Sequence, residues 1–166
     1  MNRTNNAYTE TKNTLPRSIR FRSVGLLNRS LASAIDLERQ ATQAHWNVKG
    51  PNFIALHELF DKVAEATEEF SDLLAERVTA LGGTAEGRLQ AVTVQSAALP
   101  VYPGEVFSGR EHVDALSTSL AAFGRAVREA IDEAAQFGDA DTADVFTEIS
   151  RETDKQLWLV EPHLHE

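Results

Sequence analysis

Four side chains on one predicted helix have the types and spacing of metal ligands: His57, Asp61, Asp72 and Glu76, separated by steps of 4, 11 and 4 residues. At about 100° per residue these steps return to one helical face, so the four lie within an arc of roughly 100°. The apolar stripe of the same helix, Leu56, Phe60, Val63, Thr67, Phe70, Leu74 and Leu81, is centred more than about 90° from the middle of that arc. The quartet therefore points away from its own chain's core. Glu65 and Glu68 share the arc, so a solvated acidic face is one reading and a ligand set is the other. An imidazole and a carboxylate four residues apart can reach one ion, and so can two carboxylates. Within one chain the two pairs cannot meet, because the 19 residues from His57 to Glu76 span about 28 Å of helix while metal–ligand bonds are about 2 Å. Packing the helix antiparallel on a copy of itself brings His57 and Asp61 of one chain near Asp72 and Glu76 of the other. Such a site exists only in a dimer, and twice in each.

The chain has no cysteine, which removes thiolate sites, disulfides and cysteine nucleophiles and leaves oxygen and imidazole as the ligands for any metal. A di-iron site inside a helical bundle uses Glu-x-x-His pairs. None occurs here, since the residues three before the five histidines are Thr42, Ile54, Gly109, Val160 and Pro162. His45, beside Trp46, is either a satisfied core residue or a further ligand. His112 reads as a surface residue. His163 and His165, two apart, cannot share a helix face, and belong either to a solvated end or to a loose end that holds a metal. No GxGxxG, GxxxxGK or GxSxG pattern is present.

Four long helices must carry these groups. Leu27, Leu31, Ala34, Ala41, His45 and Val48 form the stripe of the first, closed by Gly50-Pro51. The second carries the quartet and stops at Gly82-Gly83. A third follows the capping box Ser108…Glu111, with the stripe Val113, Leu116, Leu120, Phe123, Val127, Ile131 and Ala134. The fourth follows Gly138, with the stripe Val145, Ile149, Gln156 or Leu157, and Val160, and with Asp139, Asp141 and Asp144 near its positive end. The link between the second and third covers about 25 residues, against roughly 2–8 between antiparallel neighbours. A crossover of that length makes helices two and three parallel. The expected class is all-α: a ferritin-like four-helix bundle with a long crossover containing a short helical turn, placed at Ser96–Leu99.

The 166 residues suit one domain, and no segment has the apolar run of a membrane helix or a secretory signal, so a cytoplasmic protein is expected. The net charge of -9 is uneven: residues 1–22 hold five Lys or Arg and one Glu, a balance of +4, which leaves -13 for the rest. We expect a flexible basic tail over 1–22, disordered over at least its first dozen residues, a bundle over 23–162 and a short C-terminal tail over 163–166.

The stretch Ala44-His45-Trp46-Asn47-Val48-Lys49-Gly50-Pro51-Asn52-Phe53, followed by His57, Glu58 and Asp61, resembles the Dps family of mini-ferritins. The resemblance continues through Asp72, Ala75-Glu76-Arg77, Leu81-Gly82-Gly83, Thr147 to Arg151, Lys155, Leu157 and Trp158, and covers residues 20–162. It implies a hollow homododecamer that oxidises Fe(II) to Fe(III), preferably with hydrogen peroxide, and stores the ferric product, protecting DNA from oxidative damage. It also implies an intersubunit ferroxidase centre. His45, His57 and Asp61 would come from one subunit and Asp72 and Glu76 from its twofold mate, with iron as the metal. Trp46 would sit beside the centre as a radical sink, with core-filling as its other reading. Asp139, Asp144 and Glu148 match the acidic residues that line the family's threefold pores, although helix-dipole pairing explains them too. DNA binding through the basic tail, and so a nucleoid association, is possible by multivalency. The rival reading is a nucleoid-binding structural cage whose metal site is weak or vestigial.

Overall fold

The computed structural model describes residues 8–96 and 98–165. Four long helices, α1 (Arg17–Asn47), α2 (Phe53–Ala80), α4 (Gly109–Phe137) and α5 (Ala140–Val160), form the bundle, with a short α3 (Leu89–Gln95) in the crossover and a 3₁₀ turn over Glu161–Leu164. Helix α1 packs on α2 and α4, and α5 on α4 and α2. The diagonals are thus α1/α5 and α2/α4. Gly109, which opens α4, lies against Leu56 near the start of α2, so these two helices run parallel as the long crossover requires. Their side chains meet across the core where Phe70 and Phe123 stack with centroids 6.0 Å apart.

The predicted stripe of α2 is buried along its whole length, with Phe60, Val63, Thr67, Leu74 and Leu81 fully enclosed. The capping box forms as the sequence implies: Ser108 Oγ accepts from the Glu111 amide, and the Glu111 carboxylate accepts from the Ser108 amide. Each such bond satisfies an amide that has no partner inside the helix. Gly138 ends α4 in a left-handed conformation at φ 83°, where a side chain would be strained.

Three expectations shift. Helix α1 begins at Arg17, so the boundary expected at residue 22 moves back and Arg17–Arg22 are helical. The residues before it are held: the Thr9 amide donates to Gly82 O at 2.9 Å, Arg20 donates to the carbonyls of Leu15 and Leu81, and Tyr8 lies on Phe21. The stripe Leu27 to Val48 does not extend into this stretch, whose contacts are made to another helix end rather than along its own face. The rest of the expected disordered stretch, residues 1–7, lies outside the described residues. The crossover helix sits at Leu89–Gln95, ahead of the expected Ser96–Leu99. Finally, His163 belongs to the terminal 3₁₀ turn, whose Leu164 carbonyl accepts from Arg110.

Polar groups, buried at Gln40 and Ser119 and half-buried at Asp36 and Ser96, fix the crossover to the bundle. Gln40 donates to Pro100 O at 3.1 Å and accepts from Ser119 Oγ at 2.6 Å, while Ser96 Oγ donates to Asp36. Breaking one such bond leaves a desolvated partner, which costs about 1–3 kcal/mol.

Candidate metal centre

The tight link between α1 and α2 brings His45, in the last turn of α1, against His57, in the second turn of α2. Their rings stack at 3.8 Å with 21° between planes. Each Nδ1 lies 2.9 Å from the other residue's backbone oxygen: His45 Nδ1 from His57 O, and His57 Nδ1 from His45 O. A carbonyl oxygen only accepts, so both rings carry a proton on Nδ1 and both Nε2 atoms are left as acceptors or ligands. His45 O is available because the last carbonyls of a helix have no partner within it. This reciprocal clasp fixes two ring tautomers with no other side chain, the role that outer hydrogen bonds play for metal-binding histidines. Phe53 also stacks on His57, with ring centroids 5.1 Å apart.

Asp61 lies one turn beyond His57, its Oδ1 3.7 Å from His45 Nδ1 and its side chain 57% exposed. Asp72 and Glu76 are exposed farther along α2. The structure thus gathers His45, His57 and Asp61 at one end of the bundle and leaves Asp72 and Glu76 at a distance along the same helix. Among the described residues no group of three or more His, Asp or Glu side chains in a single chain gathers as a metal cage. Trp46 is 70% exposed, so in the monomer it fills no core.

The acidic residues around α5 divide. Asp144 and Glu148 are exposed and four residues apart on one face. Asp139 is 1% exposed and is not a free pore carboxylate. It caps α5 by accepting from the Thr142 amide and hydroxyl, and pairs with Arg77 at 2.7 Å. Burial acts to raise its pKa, but the hydrogen bonds from Thr142 and the Ser23 side chain, with the Arg77 charge a smaller influence, outweigh it and hold the carboxyl below its ordinary value. Its place directly before a helix was the available signal for a cap.

His112 is the plainest correction: it is buried, 1% exposed, with Nδ1 2.6 Å from the Tyr102 hydroxyl. Its spacing of four from Leu116 and eight from Leu120 was the signal that it shares their inward face.

The model of the ferritin-like domain matches residues 24–166. The DNA protection during starvation protein of Agrobacterium fabrum is 46% identical over 157 residues, covering 95% of this chain and 96% of that protein. The protein of the same name from Brevibacillus brevis is 32% identical over 139 residues, covering 84% and 92%. Among solved structures, Mycobacterium smegmatis Dps in a tetragonal form superposes with a TM-score of 0.87 at 28% identity, covering 94% of this chain and 93% of that one. Dps from Microbacterium arborescens in its high iron form gives 0.84 at 28%, covering 95% and 100%.

Proposed function

The chain belongs to the Dps family of ferritin-like proteins, and from that premise we propose that it oxidises Fe(II) to Fe(III), preferably with hydrogen peroxide, and stores the product in a hollow dodecamer. The observation that carries this reading is the His45–His57 clasp, which uses both Nδ1 protons on backbone carbonyls and leaves both Nε2 atoms as ligands, with Asp61 Oδ1 3.7 Å from His45 Nδ1 in the same cluster. Imidazole and carboxylate suit iron in both oxidation states. One chain supplies too few donors, so in this proposal Asp72 and Glu76 of the twofold mate complete the centre, an arrangement that the helical spacing allows in an antiparallel pair. An incompletely filled ligand set leaves room for peroxide. Trp46, next to His45 in the chain and exposed, would accept oxidising equivalents that escape. Asp144 and Glu148 are the pore residues of this proposal, and an acidic funnel there draws Fe(II) inward. Asp139 serves it only by fixing the start of α5.

DNA retention would draw on the N-terminal segment. Arg20 is spent on two carbonyls; Arg22 lies over the Phe137 ring at 4.0 Å but remains exposed, as do Lys12 and Arg17 among the described residues of the segment. These cations, multiplied over a cage, give a weak and salt-sensitive contact. No helix among the described residues is long and apolar enough to cross a membrane, and a cytoplasmic location fits this function.

Stopped-flow oxidation of Fe(II), with peroxide and with oxygen, tests the site. The Asp72→Ala/Glu76→Ala double variant should assemble normally and lose the rapid peroxide-dependent phase. Unchanged kinetics in the assembled variant would refute the site assignment.

A further inference from the structure

The Tyr102–His112 pair has no part in the proposed iron site, yet at the edge of the core it brings together two titratable groups. Tyr102 lies in the crossover and is half-buried; His112 sits one turn into α4. Their rings are 6.2 Å apart and 22° from parallel. The 2.6 Å bond from the Tyr102 hydroxyl to His112 Nδ1 is short for a bond of this kind. His112 Nε2 is buried without a well-formed hydrogen bond, a defect that a leucine would avoid. The Asn47 backbone and the Glu111 charge both favour the protonated ring, although burial outweighs them and lowers the His112 pKa. Burial also pushes the Tyr102 phenol well above its ordinary value. At rest the pair is therefore a neutral phenol donating to a neutral imidazole.

Two further features bear on what such a pair can do. Tyr102 opens onto a surface depression of about 360 Å³ that also carries Glu105, Glu111 and Asp114, a negative approach suited to a small cation. On its other side His112 faces Phe60 at 6.4 Å, the residue directly before Asp61.

We propose that Tyr102 and His112 form a redox-active couple that quenches one-electron oxidants of the hydroxyl-radical class. The electron leaves the Tyr102 phenol and reduces hydroxyl radical to hydroxide, while the phenolic proton moves along the existing hydrogen bond to His112 Nδ1. The products are a neutral tyrosyl radical and an imidazolium. Fe(II) arriving through the acidic depression returns the electron and becomes Fe(III), and His112 returns the proton. The source of the oxidant rests on the iron–peroxide reading above; the couple itself does not.

The test uses the full-length iron-free protein, oxidised by flash-generated tris(bipyridine)ruthenium(III) with persulfate and frozen for electron paramagnetic resonance. With only two tyrosines in the chain, Tyr8→Phe should keep the tyrosyl signal and Tyr102→Phe should lose most of it. His112→Gln, which preserves an acceptor but cannot hold the proton, should lower the yield and shift the high-field g value, a change that a merely structural role would not produce. Equal tyrosyl signals in wild type and Tyr102→Phe would overturn the couple. The second arm mixes the same variants with Fe(II) and peroxide. A signal under photo-oxidation but none with iron and peroxide would overturn the proposed source and leave the couple standing.

Discussion

Replacing Arg77 by methionine isolates the interaction that anchors the start of α5. Methionine keeps an unbranched apolar stem but removes the guanidinium, whose Nη2 lies 2.7 Å from Asp139 Oδ1 and whose Nε donates to Thr142 Oγ at 2.9 Å. The Arg77 side chain is 14% exposed and Asp139 1%, so solvent cannot replace the lost counter-charge. Removing one partner of a buried pair costs about 3–5 kcal/mol. Thr142 still donates twice to the carboxylate, so the low end, about 3 kcal/mol, is expected at neutral pH. Adding Asp139→Asn neutralises the stranded group while keeping a capping side chain, and should recover about 2 kcal/mol. The pH dependence has a definite sign. In the wild type the folded Asp139 pKa is depressed, so its stabilisation is present above the unfolded value and lost as pH falls through the folded one. Without Arg77 one of the influences that lower the folded pKa is gone while the Thr142 bonds remain, so the folded pKa rises and the variant's deficit shrinks as pH falls into the acidic range. Urea unfolding at fixed protein concentration, at neutral and acidic pH, measures both effects. A neutral-pH loss below about 1 kcal/mol, or a deficit independent of pH, would refute the account of Asp139 as a buried, charge-paired cap.

Phe60→Ala should destabilise by about 3–5 kcal/mol in the same assay, because Phe60 is fully enclosed and its removal leaves a cavity at the heart of the bundle. Ser108→Ala should cost about 1 kcal/mol through the lost cap. It should also raise the Glu111 pKa by NMR titration, since hydrogen bonds from Ser108, more than the neighbouring charge, hold that carboxyl low. Gly82→Ala should free the N-terminal segment: Gly82 has φ 81°, and an added Cβ would stand 2.6 Å from Thr9 O. Faster tryptic cleavage after Lys12, with stronger DNA retention in a low-salt gel shift, is the expected result; unchanged cleavage would show the segment is held by other contacts.

The helices were legible because their information is local. Stripes such as Leu56 to Leu81 and the Ser108…Glu111 box repeat within a few residues, and the same residues are buried or bonded in the structure. The long crossover likewise dictated parallel α2 and α4. Candidate ligands could be named from one helical face, and the distance between His57 and Glu76 already demanded a second chain for a shared site. Contacts between elements far apart in sequence carried no such signature. That His45 and His57 exchange hydrogen bonds depends on the angle between α1 and α2 at their link. That Asp139 turns inward depends on Arg77 reaching it from 62 residues away. That the His112 ring has a phenol as its partner depends on the crossover laying Tyr102 over it. Periodicity assigns a residue to a face, whereas hydrogen-bond partner, tautomer and desolvation are set by what the folded chain places against that face, and only the tertiary structure decided those.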